Sequence, residues 1–357
     1  MTERRDSHRT FKLAVQPLVS PAESLAADEL LRRDVVLARD GGVMRVYGFA
    51  GDLLSLGRYH AVPAELAPGR AQSLYRRHSG GRNLPSGDGF VGLSIVLPHR
   101  SALVSEEPLA LAPHQVLNRS VRGILEGLKS IGIPAFYPGR DWITVDRRVI
   151  GMVSFDVAAD GGMVFEALLA LSRDFTLQHG AWNEVRAAPL AAADVTSVKV
   201  QLGVDLTVAD VAEVLARGYA QQFGLSFETI DLETRPLRAE TTELARSLFE
   251  PQAWLSTRTV SPGLEHHASI DVMLGVFEAF ACADASGLVR DVLLSGDIIA
   301  NSPAITDLER RMRGCRADRA SIDTVVTETL RVPENFILGI PNPEAITSTI
   351  LRALSSE

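Results

Sequence analysis

Hydrophobic and polar positions along this chain follow two spacings, which predict a mixture of strands and helices. Short apolar or alternating runs predict strands over residues 43–49, 53–59, 90–97, 142–145, 148–155 and 163–169, and a hairpin over 266–281 and 287–295. Apolar residues at helical spacing predict helices over residues 24–31, 113–131, 207–224 and 305–312. Asp146-Arg147 is typical of a tight hairpin turn. Because strands and helices do not alternate regularly, the pattern favours an α+β fold over a doubly wound sheet.

A polar stretch that contains a proline, residues 231–243, predicts a linker between two domains. Residues 20–230 carry most of the predicted strands and form the first domain, and residues 244–357 form the second. The chain begins with a charged run that lacks the apolar core of a secretory signal. We therefore expect residues 1–19 to be a flexible N-terminus.

Composition narrows the classes of function. The chain has 357 residues, 46% of them hydrophobic, and a net charge of −8, which argues against a nucleic-acid partner. No apolar run approaches the roughly 20 residues that cross a bilayer, so no membrane association is expected. Cys282 and Cys315 lack the paired spacing of zinc ligands, and adjacent His266 and His267 would point to opposite faces of a strand. The sequence thus predicts no metal site, and the cytoplasm is the expected compartment.

The most informative segment places two arginines beside a hydroxyl and two glycines, in the order Arg76, Arg77, Ser79, Gly80 and Gly81. Glycines allow a backbone to approach a ligand closely, and successive backbone N–H groups form anion-binding concavities. Arginine binds carboxylate or phosphate with two parallel hydrogen bonds. The segment predicts a site for a carboxylate or a phosphate ester. The alternative is a glycine-rich hairpin with a solvated basic edge.

The order of several motifs resembles the lipoate–protein ligase and octanoyltransferase family, which also includes the biotin ligases. The matching segments are residues 24–29, 45–49, 54–60, 76–81, 139–141 and 143–151, followed by residues 287–292 and 295–298 in the second domain. The resemblance covers roughly residues 20–335. It implies a mixed-sheet catalytic domain followed by a small α+β accessory domain.

The same resemblance implies a reaction. The carboxylate of lipoate or a short fatty acid would attack the α-phosphate of ATP, with magnesium, to give an acyl-adenylate. A lysine amine of a lipoyl-carrier domain, or another amine acceptor, would then take the acyl group. Carried over by position, Arg148 is the catalytic residue. The substrate-binding residues would be Arg76, Arg77, Ser79, Gly80, Gly81, Arg82 and Gly151, and the nucleotide-binding residues Gly139, Arg140 and Asp141.

This chain departs from the family pattern at the positions that carry the chemistry. Arg148 replaces the family's lysine and cannot act as a general base. Arg82 replaces the third glycine of the loop, and Asp141 replaces an asparagine. Ser86-Gly87 stands where the family has a His-Asp pair, and residues 165–168 lack the histidine and threonine of its His-Gly-Thr strand. A more cationic pocket would still suit a carboxylate, a phosphate or an acyl-phosphate.

Three hypotheses follow from the sequence. The first is a lipoate–protein-ligase-like enzyme, the second an amide-forming enzyme that uses another small molecule, and the third a catalytically degenerate relative that binds acyl groups or a carrier domain. All three depend on a cationic, glycine-built cleft near Arg77 and Arg148 that binds the acidic head of an acyl compound. Two structural alternatives remain at those positions: an ion pair for Arg77 and a strand-edge charge for Arg148.

Overall fold

The computed structural model of the chain describes residues 9–39, 41–64, 73–176, 190–264 and 266–355. Its strands are β1 (Arg9–Gln16), β2 (Val43–Tyr47), β3 (Asp52–Leu56), β4 (Leu74–Arg76), β5 (Leu84–Gly87), β6 (Phe90–Leu97), β7 (Trp142–Val145), β8 (Arg148–Val157), β9 (Met163–Ala170), β10 (Leu225–Thr229), β11 (His267–Val272), β12 (Gly275–Ala283), β13 (Val289–Gly296), β14 (Ile299–Ala300) and β15 (Ile337–Leu338). Its helices are α1 (Pro21–Ala38), α2 (Pro113–Ser120), α3 (Arg122–Ser130), α4 (Val198–Leu202), α5 (Val208–Phe223), α6 (Arg235–Leu248), α7 (Pro251–Ser256), α8 (Ser302–Met312), α9 (Arg319–Leu330) and α10 (Pro343–Leu354).

The first unit is built on a mixed sheet with the spatial order β10-β1-β2-β6-β9-β8-β7. Strand β1 pairs in parallel with β2 and β10, and the other neighbours are antiparallel. Helices α2, α3 and α5 cover one face, where Ile124 and Leu215 join Val153 of β8 in the main core. We call this the helix face. Helix α1 packs on the opposite face, which also carries the segment after β4 and is called the loop face.

The second unit is a small α+β unit, as the sequence predicts. Strands β11, β12 and β13 form an antiparallel sheet, and β14 pairs with β15. Helices α8, α9 and α10 bury Leu308, Val326 and Ile350 against that sheet. The α+β class predicted from the sequence is confirmed for both units.

Several predicted elements are confirmed because local chemistry specifies them. Helix α5 begins after Thr207, whose hydroxyl accepts from the backbone of Asp210 in a reciprocal capping box, and ends at left-handed Gly224. Asp146 and Arg147 adopt positive φ angles of 48° and 66°, which fit a two-residue hairpin turn between β7 and β8. The helix predicted over residues 113–131 is present as α2 and α3, which meet at Val121.

Three predictions about organisation are wrong. Residues 9–16, expected to be flexible, form β1, because Phe11 and Ala14 are buried on opposite faces of the sheet and the backbone pairs on both sides. Most of the expected linker lies in α6, whose Ala245 packs with Leu25 of α1. The helices that run to residue 256 therefore contact the first unit. The single strand expected over residues 266–281 is two strands separated by a tight turn.

No helix in the described ranges is long and apolar enough to cross a membrane.

Candidate functional site

Arg76 lies wholly inside the protein, with no exposed surface. Its guanidinium donates to the carbonyl oxygens of Gly57 (3.2 Å), Arg58 (2.9 Å), His60 (2.7 Å) and Leu255 (3.0 Å). Burial, followed by repulsion from Arg258 and Arg58, lowers the pKa of this group to about 9. In this arrangement Arg76 ties loop backbone to α7 and is not in a position to grip a ligand.

Arg77 holds the loop that follows it, residues 77–82, which we call the glycine loop. It is 4% exposed and donates to the carbonyl and hydroxyl of Ser55 at 3.2 and 2.8 Å. It also donates to the carbonyls of Gly80 and Arg82, both at 2.9 Å. Burial lowers the pKa of Arg77, while the charge of Glu166 opposes that shift. The guanidinium is thus engaged by the loop's own backbone.

Two backbone N–H groups of the glycine loop already have acceptors. Ser79 donates to a carboxylate oxygen of Glu166 at 2.7 Å, and Gly81 donates to the carbonyl of Ile298 at 2.8 Å. A Cβ on Gly80 would lie 2.0 Å from that same Ile298 carbonyl, so only glycine permits the approach. In this arrangement the glycines serve contact with the second unit, and Ile298 occupies a position that an oxyanion would need.

Arg82 and Asp141, two departures from the family pattern, form an ion pair with each other. The Nε atom of Arg82 lies 3.1 Å from Oδ2 of Asp141, and the guanidinium carbon lies 5.0 Å from the centre of the Trp142 ring. The Arg82 side chain keeps 15% of its surface exposed. Arg82 is therefore a pre-oriented cation, bonded through one edge and stacked on an aromatic ring.

Asp141 is fully buried, and burial raises its pKa to about 6 although Arg82 opposes the shift. Asp297 of the second unit adds a further increase through its charge. Asp297 itself lies 3.1 Å from Nε2 of His60 and accepts the Val276 N–H at 2.9 Å. Burial acts to raise the pKa of Asp297, but the hydrogen bond and charge of His60 lower it overall. Asp141 thus contacts Arg82 directly, and Asp297 of the second unit acts on the same pair through its charge.

An apolar cluster extends from Trp142 over the loop face. Its other buried members are Leu84, Phe90, Val149, Met152, Leu168, Ala170, Phe175 and Val195. A partly exposed guanidinium thus lies at the edge of a buried apolar cluster. These neighbours would suit a ligand with a carboxylate head and a hydrocarbon chain.

Arg148 lies on the other face of the sheet. It is the first residue of β8 and pairs with Val145, which belongs to the core under the helices. Directly opposed residues of an antiparallel pair share a face, so Arg148 lies on the helix face. Ser154, beside Gly81, is six residues further along β8, or about 20 Å in an extended strand. The structure therefore does not bring Arg148 and Arg77 to one cleft.

The remaining predicted residues have simpler surroundings. Gly151 is buried in β8, where a Cβ would lie 2.6 Å from the Leu169 side chain, so packing accounts for the glycine. Gly139 and Arg140 are exposed, and Gly139 has a φ of +89° with open space around it. Of the three predicted nucleotide residues, Asp141 alone contacts the glycine loop within the described ranges.

Sequence reasoning missed the roles of Glu166 and Asp297. Glu166 is 5% exposed inside the otherwise apolar strand β9, and a charged residue in such a run is a signal that a specific partner exists. Asp297 lies in the Ser-Gly-Asp-Ile segment at residues 295–298, which the resemblance marked only as part of the accessory domain. Both partners come from distant parts of the chain, and no local pattern identifies them.

The combination of this mixed sheet, the glycine loop and a C-terminal α+β unit defines the fold of the lipoate–protein ligases. The structure is similar to that of P. falciparum LipL1 in complex with lipoate, with a TM-score of 0.68 over 96% of this chain and 99% of that one, at 14% sequence identity. The fold expected from the motif order is therefore confirmed, including the accessory unit.

Two further solved structures match a smaller share of the chain. One is the bipartite lipoate protein ligase of Thermoplasma acidophilum with its E2 lipoyl domain (TM-score 0.53, 17% identity, 69% of this chain and 96% of that one). The other is a lipoate-protein ligase A bound with ATP (TM-score 0.52, 17% identity, 70% and 98%). No family model and no curated protein sequence matches the chain. At these identities the likeness establishes the fold.

A protein-held magnesium ion does not fit this site. Within the described residues no three His, Cys, Asp or Glu side chains come together as a metal cluster. The two buried carboxylates that contact the glycine loop are already engaged, since Asp141 pairs with Arg82 and Glu166 accepts the Ser79 N–H. Magnesium requires oxygen ligands in near-octahedral geometry, and this donor set lacks them.

Proposed function

We propose that this chain binds lipoate, octanoate or a related carboxylate on the loop face and transfers the acyl group to an amine, in the manner of a lipoate–protein ligase. The observation that carries the proposal is the exposed edge of Arg82, held by Asp141 and Trp142 beside an apolar cluster, in a chain with the ligase fold over nearly its whole length. The carboxylate would bind Arg82, and the acyl chain would insert into the cluster, whose buried side chains would have to separate to admit it.

Activation would follow the ligase route. A carboxylate oxygen attacks the α-phosphorus of ATP and pyrophosphate leaves. The amine of a carrier-domain lysine then attacks the acyl carbon and AMP leaves. Arg82 would hold the carboxylate and stabilise the charge that develops on its oxygen. Because the Gly81 N–H is bonded to Ile298, nucleotide binding at this loop requires Ile298 to move away.

A second candidate function is a non-adenylating relative that binds an acyl compound or a carrier domain. It is favoured by the position of Arg148 on the helix face and by the engaged N–H groups of Ser79 and Gly81. Under this candidate Arg82 still binds the acyl carboxylate, but no acyl-adenylate forms.

One assay separates the two functions. Purified protein is incubated with a lipoyl-carrier domain and either lipoate plus ATP or preformed lipoyl-AMP, and the carrier is followed by mass spectrometry. The proposed function expects carrier acylation from lipoate plus ATP, reduced at least about tenfold in Arg82→Gln. Acylation should be unaffected in Arg331→Gln, which changes an exposed arginine of the second unit. Ligand binding without acylation from either source would support the second candidate. Neither binding nor acylation would refute both.

A further inference from the structure

A cavity lies where α7 meets α8, at the contact between the two units. It has a volume of about 460 Å³, within the range of roughly 300–1,000 Å³ usual for small-molecule sites. The charged residues that line it are Arg58, Arg76, Arg258, Glu309, Arg310 and Arg313. Five arginines against one glutamate is a strong local excess of positive charge in a chain whose net charge is −8.

Internal ion pairs compensate part of this charge. Arg258 forms two hydrogen bonds of 2.8 Å with Glu309, and these two charges cancel. Arg58 lies over the Trp254 ring at 5.5 Å, and its nearest carboxylate oxygen, on Asp156, is 3.7 Å away. That longer distance leaves Arg58 only partly neutralised.

Arg76 provides the uncompensated charge. All four of its hydrogen-bond acceptors are neutral carbonyl oxygens, and no carboxylate of the described residues pairs with it. Its pKa is lowered to about 9 by burial and by repulsion from Arg258 and Arg58. An anion bound near Arg76 would offset the repulsion from Arg258 and Arg58 and would stabilise the charged form of Arg76.

Two exposed arginines line the solvent-facing side of the cavity. Arg310 pairs with Asp307 and Arg313 lies 2.8 Å from Asp291, but their side chains are 68% and 54% exposed. Exposed pairs of this kind contribute little stability, so both guanidinium groups are free to turn toward a stronger acceptor. Thr257 and Thr306 add neutral hydroxyl groups to the lining.

We propose that this cavity binds the phosphate group of a small molecule, as a phosphomonoester or a diphosphate. Arg310 and Arg313 would close on the phosphate oxygens from the surface, and Arg58 would contact them from within. The buried charge of Arg76 would raise affinity without touching the ligand. Arg82 does not line this cavity, so the site is separate from the proposed acyl site.

Inorganic pyrophosphate is the probe for a direct test on the full chain. Its binding is measured by calorimetry and by thermal shift at constant ionic strength, with sodium chloride as the reference salt. The proposal expects pyrophosphate to raise the melting temperature of the wild type. It expects the Arg310→Ala/Arg313→Ala double variant to bind at least about tenfold more weakly, because two charge-assisted contacts are lost.

Two control variants make the result specific. Arg331→Ala removes an exposed arginine elsewhere in the second unit, and Arg82→Gln removes the cation of the acyl site; both should bind pyrophosphate as the wild type does. Absence of any stabilisation by pyrophosphate overturns the proposal. So does wild-type affinity in the double variant, or loss of affinity in Arg82→Gln alone, which would locate the anion at the acyl site. If the double variant loses binding of an acidic carrier domain while pyrophosphate never binds, the surface is a protein contact and the proposal is wrong.

Discussion

Arg77 and Arg82 bracket the same loop and have opposite surroundings. Arg77 is buried, and its guanidinium donates to the carbonyl and hydroxyl of Ser55 and to the carbonyls of Gly80 and Arg82. Arg82, in contrast, keeps an exposed edge. Sequence alone identified the loop and its cations, because the arginines and glycines are adjacent along the chain. It did not tell which arginine faces a ligand, since that depends on acceptors from distant strands.

Arg82 and Asp141 illustrate what a resemblance adds and what it misses. Each is a departure from the family pattern, and each alone suggests a damaged site. Together they form one ion pair across 59 positions of sequence. The two substitutions therefore compensate each other electrostatically. A single sequence does not reveal such coupling, because nothing in it reports that positions 82 and 141 are neighbours.

Asp141 yields a prediction about pH. Its pKa is raised from 3.8 to about 6 in the folded protein, so between those values the folded state holds a proton that the unfolded state has lost. This group's contribution to stability therefore falls as pH rises from about 4 to about 6. Asp141→Asn removes the titrating carboxyl group. Between pH 4 and pH 6 the unfolding free energy of the variant should therefore rise, relative to that of the wild type, by on the order of 3 kcal/mol.

Urea unfolding at several pH values between 4 and 7 measures this difference. Asp146→Asn, at the exposed hairpin turn, is the surface control for the same chemical change. The difference in unfolding free energy between Asp141→Asn and the wild type could instead stay constant with pH or change in the opposite direction. Either result would show that Asp141 is not a carboxyl group held in a desolvated site.

At the scale of elements, strands β6, β7 and β9 were predicted almost to the residue because their apolar runs end at clear turns. Helices α4, α6, α7, α9 and α10 were missed. Helix α6 is amphipathic but carries polar residues over most of its surface, and its apolar positions are few. Its packing against α1 explains why the helix forms, and a tertiary contact of this kind is not visible in the local sequence pattern.

The contact between the glycine loop and the second unit gives a prediction at this scale. In Gly80→Ala the new methyl group would lie 2.0 Å from the Ile298 carbonyl, so the two backbones must separate. We expect a loss of about 1–3 kcal/mol in stability and faster amide hydrogen exchange at residues 297–300.

Ser79→Ala is the matched control in the same loop. The Ser79 hydroxyl is buried and has no hydrogen-bond partner among the described residues, so its removal should be neutral or slightly stabilising. If Gly80→Ala and Ser79→Ala have equal effects on exchange at residues 297–300, then a steric clash at position 80 does not explain the glycine.

For the whole molecule, the sequence predicted an α+β protein with a small C-terminal unit, and both are present. It misplaced the boundary, because most of the predicted linker lies in α6, and α7, which was assigned to the second domain, packs on the first unit together with α6. It also missed β1, whose charged start concealed an alternating pattern. The contact between the units places Ile298 against the glycine loop, where its carbonyl accepts the Gly81 N–H, and the charge of Asp297 acts on Asp141.

The central claim is that an acyl carboxylate binds at Arg82 on the loop face and not at Arg148 on the helix face. Calorimetric titration of lipoate and octanoate into the wild type, Arg82→Gln and Arg148→Gln tests it most directly. The Arg82→Gln/Asp141→Asn double variant, in which both charges of the pair are absent, guards against an effect of an unpaired buried carboxylate. We expect affinity to fall at least about tenfold in both variants that lack Arg82. We expect it to change by no more than about twofold in Arg148→Gln. Affinity lost in Arg148→Gln and retained in Arg82→Gln would contradict the account.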